Sequence, residues 1–71
     1  MNIDRAMQYI GMEISQERIL SGLSQLELAK KAKITQQMLS KVESGQFCSM
    51  KTLLKICKTL DKQILYLSTD K

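Results

Sequence analysis

Gln36, Gln37, Ser40, Lys41 and Ser44 recur at a spacing that puts them on one face of a helix, with Leu39 and Val42 on the other. The chemistry open to that row is set by its side chains: amides that donate and accept at once, hydroxyls, and a cation. Hydrogen bonding and charge pairing lie within its means. Bond-breaking does not, because the 71-residue chain contains no His, hence no imidazole base, no His ligand for a metal and none of the usual Ser or Cys dyads. Cys48 and Cys57 have neither the C-x-x-C spacing of a zinc site nor the density of a disulfide scaffold. Both read as reduced thiols, and neither a cofactor nor a metal is expected.

The net charge of +4 is spread unevenly. Residues 25–62 hold eight Lys against Glu27, Glu43 and Asp61, or +5, while residues 1–24 sum to −1 and the last nine are neutral. A basic middle points to a polyanion, with nucleic acid the first candidate. The plainer alternative is that the lysines solvate helix surfaces. The longest apolar run, Ile64 to Leu67, is four residues, far short of the roughly 20 needed to cross a bilayer and of a signal-peptide core. A soluble, cytoplasmic chain is therefore expected.

The elements that must hold the polar row follow from caps and periodicity. The chain has no Pro, and its Leu, Lys, Gln and Glu favour helix through residues 1–60. From the cap candidate Asn2, Ile3, Met7, Ile10, Ile14 and Leu20 mark a first helix that ends at Gly22, with a weak point at Gly11. Ser24 and Glu27 form a capping box that opens a second helix, Gln25 to Ala32, with Leu28, Ala29 and Ala32 inside. Two residues later Thr35 caps a third, Gln36 to about Ser44, closed by Gly45. Ser49 caps a fourth, whose apolar set is Met50, Leu53, Leu54, Cys57 and Leu60.

Residues 63–71 change character. Ile64, Leu65, Tyr66 and Leu67 are predicted to form a strand, and a lone strand needs the same strand of a second copy as its hydrogen-bond partner. The alternative is a fifth short helix that packs Ile64 and Leu67 on the core. A dimer also suits the chain's size, since so short a domain buries only about 60% of its unfolded surface. The expected organisation is a helical domain over 1–62 and a dimerising strand and tail over 63–71.

Two helices joined by a turn this short, with the small Ala29 where they approach, form a helix-turn-helix pattern at about residues 25–44. The stretch Gly22-Leu-Ser-Gln-Leu-Glu-Leu-Ala-Lys-Lys-Ala-Lys-Ile-Thr-Gln-Gln-Met-Leu-Ser-Lys-Val-Glu-Ser-Gly45 resembles the lambda-repressor-like helix-turn-helix of the XRE and Cro family. The similarity extends upstream through Ile10, Gly11 and Arg18 and downstream through Ser49 to Leu60. It implies an all-α DNA-binding fold of four to five helices in which the third helix enters the major groove.

By this resemblance Gln36, Gln37, Ser40 and Lys41 are the base readers. A Gln amide can donate to and accept from adenine N7 and N6 together, and Lys41 reaches either guanine or a phosphate. Gln25, Lys33, Thr35, Ser44 and Gln46 fall where the phosphate backbone is held, with a plain solvated role the alternative for Gln25. Arg18 and Glu43 match positions that pair in many relatives, tying the first helix to the end of the third so that the guanidinium is held near a phosphate, with ordinary surface charges the alternative. Three residues depart from the family pattern. Lys33 stands where Gly is usual in the turn, which adds about 1 kcal/mol of strain if the position keeps φ > 0. Leu26 replaces a polar residue, as an ordinary exposed Leu or as a contact for a partner or the N-terminal extension, and Met38 faces either a thymine methyl or the core.

Leu60 to Ser68 resembles antitoxins of the HipB type, whose terminal strand pairs across a dimer. That similarity implies a homodimer on a palindromic double-stranded operator, with a HipA-like kinase toxin as a further partner. A stand-alone XRE regulator without a toxin and a pure protein-interaction module are the alternatives. No constellation of residues supports an enzyme.

Overall fold

The computed structural model describes residues 2–46 and 48–61. Four helices follow in order, α1 (Ile3–Leu20), α2 (Gln25–Ala32), α3 (Gln36–Glu43) and α4 (Met50–Thr59), and no strand occurs among the described residues. The expected strand of Ile64, Leu65, Tyr66 and Leu67 lies outside them.

Each helix begins where a side chain can take up a free backbone N–H. Asn2 Oδ1 accepts from Arg5 N–H at 2.8 Å, and Thr35 Oγ1 from Met38 N–H at 3.0 Å. Ser49 Oγ accepts from Thr52 N–H at 3.1 Å. At α2 the capping box closes in both directions: Glu27 N–H donates to Ser24 Oγ at 3.1 Å and Ser24 N–H to Glu27 Oε1 at 2.8 Å. The Ser24 backbone N–H that donates to the carboxylate, with the Ser24 hydroxyl beside it as the second cause, holds the Glu27 carboxyl below its ordinary pKa.

The first three helices also end alike. Leu23 N–H reaches back to the Arg18 carbonyl, Ile34 to Ala29 and Gln46 to Lys41, at 3.0–3.1 Å. This closure passes through one left-handed residue, supplied by Gly22 (φ 75°), Lys33 (φ 60°) and Gly45 (φ 90°). Lys33 therefore does keep the positive φ of the position usually held by Gly, and carries its strain.

α2 packs against both α3 and α4, and α1 against α3. Met7, Ile10 and Ile14 of α1 meet Leu28, Ala29 and Ala32 of α2, Leu39 and Val42 of α3, and Leu53, Ile56 and Cys57 of α4 in one core. Burying a side chain the size of Ile14, Leu28, Leu39 or Ile56 contributes about 1.5–3 kcal/mol each.

Two helix faces differ from the expected pattern. On α1, Ile3 and Leu20 are 62% and 77% exposed, so the inward stripe is shorter than the apolar spacing implies. On α4, Met50 and Leu54 face solvent, while Thr52, Leu53, Ile56 and Cys57 turn inward. The buried stripe is rotated away from the one the large apolar residues suggest. Thr52 joins it because its hydroxyl accepts from Ser49 Oγ at 3.0 Å and donates to Met38 Sδ at 3.5 Å.

Candidate nucleic-acid interface

α3 is an eight-residue helix with two unlike faces. Leu39 and Val42 are fully buried, and those two anchors fix the rotation of the helix about its own axis. Gln36, Gln37, Ser40 and Lys41 are consequently exposed together. Their side chains form no hydrogen bond or ion pair among the described residues, so their donors and acceptors remain available. Met38 lies at the edge of this face, 40% exposed, with its sulfur engaged by Thr52.

The C-terminal end of α3 is held by a polar knot. Arg18 Nε and Nη2 donate to Glu43 Oε2 and Oε1 at 2.7 and 3.1 Å, and Nη1 donates to the Leu23 carbonyl at 2.9 Å. Gln25 Nε2 donates to Glu43 Oε1 at 3.1 Å. The Arg18 and Glu43 side chains are only 14% and 7% exposed. This two-pronged pairing ties α1 and the start of α2 to the end of α3. Each of the three guanidinium nitrogens donates within the protein, which makes Arg18 a fastener of the frame.

The partner of Gln25 is invisible in the sequence, where its position suggests only a phosphate or solvent. Its helix still offers the N–H groups of Gln25 and Leu26, since the capping box takes up those of Ser24 and Glu27. Thr35 is occupied as the α3 cap. Ser44 and Gln46 sit together beyond the other end of α3, with Ser44 Oγ donating to the Lys41 carbonyl at 2.9 Å and Gln46 Nε2 to Ser44 Oγ at 3.2 Å. Lys33 stands apart from both groups. It lines a cleft with Lys31, Lys55 and Lys58 on the α2–α4 side.

Gly11 has a role that sequence reasoning missed. It is buried where α1 crosses the end of α3, and a Cβ there would collide with the Val42 carbonyl oxygen. A weak point in an isolated helix is thus a place where two helices approach closely. The only sequence signal is a Gly in the middle of an otherwise good helix.

A helix-turn-helix family model matches residues 14–67, which takes in all of α2, α3 and α4. The chain belongs to the XRE-type helix-turn-helix family. That family is a DNA-binding regulatory one. No curated protein matches the chain.

Among the described residues no group of His, Cys, Asp or Glu could hold a metal ion, and burial pushes the Cys48 thiol above its ordinary pKa, away from the reactive thiolate. No described helix is long and apolar enough to cross a membrane.

Proposed function

We propose that this helix-turn-helix protein is a transcriptional repressor that reads double-stranded DNA with α3 and blocks a promoter by occupying it. The observation that carries this reading is the unspent polar face of α3, held at a fixed angle by Leu39 and Val42 behind it. Gln36 and Gln37 read adenine edges, Ser40 and Lys41 read or brace beside them, and Ser44, Gln46, Thr35 and the start of α2 at Gln25 grip the backbone. A homodimer places two copies of α3 on a palindromic operator with half-sites about one helical turn apart, 10–10.5 bp or a multiple.

The finer reading, from the HipB-like stretch Leu60 to Ser68, is that the dimer pairs through Ile64, Leu65, Tyr66 and Leu67. The repressor is then the antitoxin of an autoregulated operon and binds a HipA-like kinase toxin. A plain XRE regulator is the alternative. Sedimentation velocity of the full chain, with and without a duplex from the region upstream of its own gene, tests the core of this. A dimer that co-sediments with the duplex supports the repressor. A monomer, or a dimer that ignores the duplex at low salt, contradicts it. Co-purification with the product of the neighbouring reading frame separates antitoxin from plain regulator.

A further inference from the structure

The C-terminal ends of α2 and α4 converge on an open cleft of about 480 Å³ lined by Lys31, Ala32, Lys33, Lys55, Lys58 and Thr59. Four of its six lining residues are cationic, and none is acidic. None of the four lysines forms a salt bridge within the described residues. Such a cluster is tolerable in the free protein because Lys31 and Lys58 sit in the last turns of their helices, where the carbonyl ends offset positive charge. That compensation fades within a turn, whereas the ammonium groups extend beyond it on long stems.

The cleft also adjoins the part of the molecule that reads DNA. Lys33 is two residues from Thr35, the cap of α3, so its backbone lies within about 7 Å of the end of the reading helix. Resting on the DNA-binding reading, we propose that this cleft is a second phosphate-binding surface. It takes the DNA backbone that flanks the stretch read by α3, with Lys55 and Lys58 of α4 as its outer contacts. A duplex carries one negative charge per roughly 1.7 Å of its axis, a density that suits a strip of four lysines of which Lys31 is partly offset by Glu27.

Protection of lysines from an amine-acetylating reagent, mapped by mass spectrometry with and without a 40-bp random-sequence duplex at low salt, tests the placement. The expected result is that Lys55 and Lys58 are slowed to the same degree as Lys41. If Lys41 is protected while Lys55 and Lys58 react at their free rate, the second surface is overturned and the reading by α3 stands. If none is protected, the DNA-binding reading itself fails and takes the inference with it. A second measurement guards against indirect shielding. In K55Q/K58Q the slope of log Kobs against log salt becomes shallower by about 1.8, or 0.9 for each phosphate that the variant no longer neutralises. K55R/K58R keeps the wild-type slope. An unchanged slope in the Gln variant overturns the proposal and leaves the cleft to an acidic protein partner.

Discussion

Two regions around α3 hold similar polar residues with opposite fates. Beside its C-terminal end Gln25 of α2 meets the largely buried Arg18–Glu43 pair, and each side chain has a partner within the protein. Along the open face Gln36 and Gln37 are exposed, and their amides form no hydrogen bond among the described residues. Glutamine chemistry is identical in both places. Position relative to the core decides whether an amide holds the frame or remains free to read a base edge. A helix that must present fixed donors to a partner needs both regions, because an unpinned α3 would lose its geometry and a fully pinned one would have nothing to offer.

The comparison is broken most severely at the knot. Glu43→Ala leaves the Arg18 guanidinium mostly buried without its carboxylate, and should cost about 3–5 kcal/mol in chemical denaturation. Replacing both partners by Met should cost clearly less than the two single changes added together. Additive losses would mean that the pair does not act as one unit. Gly11→Ala comes next. Its Cβ must displace the Val42 carbonyl, and overpacking of that kind costs about 1–3 kcal/mol despite the better helix propensity of Ala. A raised melting temperature for this variant would remove the close-approach argument.

Smaller effects sharpen the picture. Lys33→Gly relieves the left-handed strain at φ 60° and should stabilise the fold by about 1 kcal/mol at most, after the greater backbone entropy of Gly is set against it. The same change removes a cleft lysine and should weaken DNA binding, so stability and affinity move in opposite directions. The smallest effect is that of Glu27. Its folded pKa is lowered by the Ser24 hydrogen bonds, so the capping contribution is complete above the unfolded pKa, about 4.3, and is lost as pH falls through the lower folded value. Thermal melts from pH 7 to pH 3 should show a shallower acid loss in Glu27→Gln, whose side-chain oxygen accepts the same bond without titrating.

Much of the frame is legible in the sequence because it is local. Ser24 with Glu27, the Thr35 cap and the spacing of Leu28, Ala29, Ala32, Leu39 and Val42 concern residues within a turn or two of each other, and α2 and α3 fall where those signals place them. The exposed row on α3 is legible for the same reason, since Leu39 and Val42 fix which side is inward. What is not legible depends on contacts between distant segments. Ile56 is hidden because Met50 and Leu54 make an equally regular stripe, and only the position of α2 decides between them. Gln25 reaches a carboxylate 18 residues away, and Gly11 matters because of a carbonyl on another helix. Neither leaves a periodic trace.

The central claim is that the exposed α3 face reads bases while the knot only holds it in place. Gln37→Ala tests this most directly, with affinity measured on the operator found upstream of the gene and on a random duplex of equal length. Circular dichroism of the same samples serves to check the fold. Operator binding should weaken by about 1–3 kcal/mol with random-duplex binding nearly unchanged. Equal losses on both duplexes would contradict the account, because the amide would then be holding backbone and the polar face of α3 would carry no sequence information.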